Sequence, residues 1–143
     1  MKVINIIGHP VTIICTYLLL LISGQSFGGF YVLYILLGLP HGSPDAIIST
    51  AGVAVMLLGY KVYRNVFNPL KPALYFAGIA VMILGLVFFF QASKGYNDQT
   101  FQQTVPLISF VLFGLCVLCN MVHSIGLLSR HSRKNDNHLN IAS

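Results

Sequence analysis

The densest group of side chains able to do chemistry lies late in the chain: Cys116, Cys119, Asn120 and His123, spaced so that an α-helix carries them on one face, turned into a bundle. Thiolate and imidazole bind zinc, iron or copper, and neighbours three or four residues apart on a helix can chelate one ion. Helix rise limits that idea. At about 1.5 Å per residue, Cys116 and His123 stand roughly 10 Å apart along the axis, too far to share a metal with bonds near 2 Å. Cys119 with His123 is the pair left to hold an ion, other helices supplying the remaining ligands. Cys116-x-x-Cys119 is also the spacing of a redox pair, and the remaining cysteine, Cys15, falls inside the first apolar run. Cysteines in this setting are otherwise small, soft packing residues.

A second group is the segment Gly38-Leu39-Pro40-His41-Gly42-Ser43-Pro44-Asp45. It resembles the G-L-P-H-G-x-x-D signature of bacterial membrane β-carotene dioxygenases of the Brp/Blh type. The resemblance implies that His41 is an iron ligand in a multi-histidine site that cleaves carotenoid to retinal, with Asp45 as a partner beside it. That family draws its other histidines from later spans, including a closely spaced pair. Here His9 and His123 lie within other apolar stretches, and His131 and His138 sit in the polar tail. His9, in Gly8-His9-Pro10, and His123 are thus the candidate metal partners of His41. Read from the residues alone, the segment is a turn on Pro40 and Gly42 leading into a capped helix, and each histidine is half-buried and hydrogen-bonded near an interface. No cofactor is expected unless the iron reading holds.

The elements that must hold these residues follow from where charge is missing. No charged side chain occurs between Lys2 and Asp45, and uncharged stretches follow at residues 46–60, 72–93 and 99–129. A hydrocarbon core of roughly 30 Å asks for about 20 apolar residues per helical crossing, which these stretches supply several times over. Hydrophobic residues make up 56% of the chain and charged ones 8%, against about 25% charged in soluble domains; the mean hydropathy is +0.80. These features predict one all-α, polytopic transmembrane bundle over residues 1–129 and a flexible basic tail over 130–143. The net charge of +5 does not point to nucleic acid, because the basic residues gather as Lys61, Arg64, Lys71 and as Arg130, Arg133, Lys134. Each group flanks an apolar stretch, as cytoplasmic anchors do. The N-terminal apolar run is longer than a signal-peptide core and leads straight into another, so it reads as a retained span. The expected location is the inner membrane, multi-pass, with the C-terminus cytoplasmic. The expected partners are the lipid bilayer, other membrane proteins or a hydrophobic small molecule.

Charge bias orders the crossings. With the loop of Lys61, Arg64 and Lys71 cytoplasmic, residues 72–92 cross outward and 105–129 return. Before Asp45 two arrangements fit. Four crossings put the N-terminus inside and make residues 30–39 a half-helix or re-entrant piece; five put the N-terminus outside. Lys2 favours four. The helix after the turn has a marked start at Ser43-Pro44-Asp45, where serine caps, proline suits the first position and aspartate complements the helix dipole. Residues 51–59, AGVAVMLLG, match residues 77–85, AGIAVMILG, at seven of nine positions. The match reads first as a packing seam built on Gly52/Gly59 and Gly78/Gly85, and second as an inverted repeat of the kind found in transporters. Three functions are expected in this order: a non-enzymatic accessory or hydrophobic-ligand-binding bundle, a metal-dependent membrane oxidoreductase using His41, and a small transporter. The absence of a mid-span acidic residue counts against the last.

Overall fold

A computed structural model describes residues 6–24, 28–62, 70–93 and 97–141, so Lys2 and Arg64, used above as topological markers, lie outside the described residues. The elements are α1 (Pro10–Leu18), a ribbon of β1 (Leu21–Ser23) and β2 (Gly28–Phe30), α2 (Tyr31–Gly38), α3 (Pro44–Val62), α4 (Leu70–Ala92) and α5 (Thr104–Ile141). Single 3-10 turns lie at Leu39–His41 and Asp98–Phe101. The described residues are all-α apart from the ribbon. Two helices, Leu70–Ala92 and Thr104–Gly126, are long and apolar enough to cross a membrane, or three spans if the bent pair Tyr31–His41 and Pro44–Lys61 counts as one. Helix α5 runs on through the basic segment to Ile141, where the sequence suggests an irregular tail. Neither Gly nor Pro follows Gly126 to stop it.

Helices α3 and α4 pack antiparallel through the repeated nonapeptide. Gly52 lies against Met82 and Gly78 against Met56, while Gly59 lies against Tyr75 and Gly85 against Ser49. Advancing each α3 residue by the repeat offset of 26, and setting each α4 residue back by it, turns the first contact into the second and the third into the fourth. The pair therefore has a local two-fold axis at the level of Ala54 and Ala80. Gly52 and Gly78 each open a hole that the methionine of the other helix fills, which lets the two backbones approach closely. A Cβ added at Gly52 would stand 2.7 Å from the Met82 backbone nitrogen, closer than side chains come to backbone.

The first apolar run does not form one long helix. Pro10 sits at the start of α1, and the His9 Nδ1 caps it by accepting from the Val11 N–H at 3.3 Å. Nothing in Leu18-Leu19-Leu20-Leu21 breaks a helix locally; tertiary bonds do so. The Leu20 carbonyl accepts from the Tyr31 N–H at 2.7 Å, and the Leu21 N–H donates to Ser109 Oγ at 3.1 Å. Thr100 takes both backbone groups of Ser23: its hydroxyl accepts from the Ser23 N–H and donates to the Ser23 carbonyl, each at 3.0 Å. Ser23 Oγ also donates to Gln103 Oε1 at 2.7 Å. The outer edge of β1 is thereby satisfied by side chains, the condition under which a two-stranded ribbon survives away from water.

The N-terminal segment nevertheless runs the length of the bundle. Gly8 lies beside Asn120 and Ser23 beside Gln103, a separation of roughly 26 Å along α5 at the helical rise. The nine residues of α1 cover about 14 Å of that, and the residues after Leu19, at about 3.3 Å each, cover the rest. Thr100→Val is therefore expected to release this edge. The amide of Ser23 should lose its protection from hydrogen exchange, and the melting midpoint in detergent should fall by the equivalent of about 1–3 kcal/mol, the cost of stranding buried backbone groups.

Helix α2 leaves the ribbon with Tyr31 and Ile35 buried against the bundle and ends at Gly38, whose missing side chain lets Ala46 and Ser43 close on it. Gly42, at φ 67°, takes the left-handed conformation that turns the chain into α3. Pro44 opens that helix, with Asp45 in its first turn.

Candidate functional site

Four elements bring hydroxyls together in the middle of the fold. Tyr17 from α1, Tyr31 from α2 and Ser49 from α3 are all fully buried, and they meet the Met82 carbonyl of α4. Tyr17 Oη lies 2.8 Å from that carbonyl and 2.9 Å from Ser49 Oγ, and Tyr31 Oη lies 2.9 Å from the same Ser49 Oγ. A phenol has one proton and a carbonyl only accepts, so Tyr17 donates to Met82 and takes its second bond from Ser49. Ser49 then accepts from Tyr31, giving a one-directional chain from α2 through α3 and α1 to α4. The two tyrosine rings meet edge to face with centroids 5.3 Å apart, and Phe113 and Phe89 pack against them at 5.5 and 5.2 Å. Among the described residues no buried side-chain nitrogen or oxygen lacks a partner.

A second polar contact joins the residues just before α1 to α5. Asn120 Nδ2 donates to the Gly8 carbonyl at 2.6 Å, and Ser124 Oγ donates to Asn120 Oδ1 at 3.5 Å. Of the four residues that share a helix face by spacing, Cys116 and Asn120 are buried, Cys119 is half-buried and His123 is exposed. The stripe is turned so that its four-residue row, continued by Ser124, faces α1. Cys15, Cys116 and Cys119 are all free thiols.

The histidines are spread over the molecule. His9 packs edge to face on Tyr60 with centroids 5.1 Å apart, at the Lys61 end of α3. His41 precedes α3 at its opposite end, exposed, its Nδ1 2.7 Å from the Leu37 carbonyl. From Asp45 to Tyr60 that helix rises about 23 Å, so His9 and His41 stand far beyond the reach of one metal ion. Among the described residues no three His, Cys, Asp or Glu side chains are grouped to hold a metal.

The chain matches no known protein family, no curated protein and no solved structure.

The hydroxyl chain is the feature that reading the sequence missed. Tyr17, Tyr31 and Ser49 are polar groups set in apolar runs, which is a signal in lipid. Their convergence depends on α1 stopping at Leu18 and α2 starting at Tyr31, which no local residue dictates.

Proposed function

We propose that this chain is a small integral membrane protein that acts without catalysis, as an accessory subunit or as a bundle holding a hydrophobic ligand. In this reading it traverses the bilayer four times. The segment from Gly8 to Ser23 runs outward as helix and strand, α3 returns, α4 goes out and α5 returns, with the Lys61 and Lys71 end cytoplasmic. The N-terminus and the basic tail share that side. The observation that carries the reading is the hydroxyl chain: its polar groups are spent on one another to join four elements, an arrangement that makes a scaffold rather than a reactive centre. Broad apolar surface on α5, with Leu115, Leu118, Val122 and Ile125 all more than half exposed, suits a helix that faces lipid or a neighbouring membrane protein.

The oxidoreductase reading draws on one detail. A ligating histidine commonly fixes its second ring nitrogen on a backbone carbonyl, and His41 Nδ1 has such a partner in Leu37. The remaining donors do not fit an iron centre, because His9 and His123 are not brought to His41.

Elemental analysis and a visible spectrum on protein purified in mild detergent, from cells supplied with iron and carotenoid, separate the two. The accessory or ligand-binding reading predicts metal well below stoichiometric and unchanged in His41→Ala. Near-stoichiometric iron lost in that variant would overturn it and call for a carotenoid-cleavage assay.

A further inference from the structure

Helix α2 meets α3 at a bend of 114°, only 24° off a right angle. Its two ends also touch the bundle at one level. Tyr31 and Tyr34, on its first turn, pack on Phe89 with ring centroids 5.2 and 5.1 Å apart. Gly38, its last residue, packs on Ala46. In the two-fold register of α3 and α4, Ala46 stands opposite Phe88, so the start and end of α2 lie at nearly the same height, about one turn from the end of α4 at Ala92. A helix crossing the layer would instead climb about 12 Å over its eight residues.

The inward side of α2 is Tyr31 and Ile35, while Leu33, Leu36 and Leu37 are 50%, 59% and 68% exposed. No residue of the helix is charged. At the same height α3 and α4 expose Ile47, Val87 and Phe88, so the leucines extend the apolar band that the long helices present. The polar residues follow at once, with exposed His41 just past the end of α2.

We infer that α2 lies in the plane of the membrane, at the end of the bundle opposite Lys61, with Leu33, Leu36 and Leu37 sunk among lipid acyl chains just beneath the headgroups. This rests on the membrane reading above and goes beyond it by naming the surface and what covers it. The occupant is acyl chain because the patch is uncharged and continuous with the band on α3 and α4, and because a helix keeps its own backbone groups bonded in hydrocarbon.

The chain contains no tryptophan, so a single introduced tryptophan reports its own depth. Leu33→Trp, Leu37→Trp and, on the middle of α5, Leu115→Trp are reconstituted in phosphatidylcholine brominated at different positions along the acyl chain. Leu33→Trp and Leu37→Trp should both be quenched best by bromine near the headgroup, at depths agreeing to about 2 Å. A helix along the membrane normal would separate them by about 6 Å. Leu115→Trp should be quenched best by bromine near the chain end. Leu36→Trp gives a third reading on α2 should either neighbour fail to fold, and the same shallow depth is expected.

A 6 Å difference between the α2 positions overturns the inference in favour of a spanning segment. Unquenched α2 positions with a quenched Leu115→Trp overturn it in favour of a covering protein, and leave the membrane reading standing. An unquenched Leu115→Trp removes the membrane reading, and the inference with it.

Discussion

Gly52→Ala is expected to lower the melting midpoint of the purified protein well below those of Gly78→Ala, Gly114→Ala and Gly126→Ala. The new Cβ would meet the Met82 backbone nitrogen at 2.7 Å, Met82 Cγ at 2.8 Å and the Gly78 carbonyl at 3.1 Å. Methionine can swing its side chain aside at little cost, but a backbone nitrogen in mid-helix cannot move without the whole of α4. Overpacking of this kind costs about 1–3 kcal/mol and sometimes more. Gly78→Ala, the mate of Gly52 under the two-fold, meets Met56 and the Gly52 carbonyl at 3.1 to 3.2 Å and should cost less. Gly114→Ala and Gly126→Ala meet nothing within 4 Å and should be neutral or gain up to about 1 kcal/mol from helix propensity. Circular dichroism melts of the four variants in one detergent check the order. A midpoint for Gly52→Ala no lower than that for Gly114→Ala would show that α3 and α4 do not touch through this seam.

The second large effect is expected at the buried hydroxyls, and its form matters more than its size. Ser49→Ala removes the group that links the two tyrosines and leaves the Tyr31 hydroxyl buried without its partner, a loss of about 1–3 kcal/mol. Tyr17 keeps its bond to the Met82 carbonyl. Adding Tyr31→Phe to Ser49→Ala removes the stranded hydroxyl, so the double variant should be more stable than the sum of the two single losses predicts. Removing both partners of a buried bond costs less than removing one. A double-mutant cycle on melting midpoints in detergent measures the coupling. Strict additivity would mean that the two hydroxyls do not share Ser49 as described.

How much of this was legible in the sequence depends on the range over which each feature is decided. The start of α3 follows from Pro44 and Asp45, because proline geometry and the dipole act within one turn. The seam of α3 with α4 could be read from the repeated nonapeptide, because glycines seven residues apart mark one face of a helix. The half-helix after Phe30 was open to the sequence as one of two arrangements, and α2 has that length. By contrast, the end of α1 at Leu18 was hidden. A run of four leucines carries no stop, and the hydrogen bonds that end the helix come from Tyr31, Ser109 and, 77 residues along the chain, Thr100. The hydroxyl chain was hidden for the same reason. At the histidines, spacing could suggest partners for His41 but could not set His9 at Tyr60, on the far end of a nineteen-residue helix.

The two-fold relation between α3 and α4 has a consequence for how the molecule knows which way up it is. A contact surface that reads the same from either member carries no polarity: the glycine and methionine lock closes equally well whichever helix is taken as ascending. Direction must then be written elsewhere, in what differs between the two ends. At one end Gly59 rests on Tyr75, beside Tyr60 and Lys61; at the other Gly85 rests on Ser49, which recruits Tyr17 and Tyr31. The hairpin supplies grip, and the asymmetry at its two tips supplies orientation.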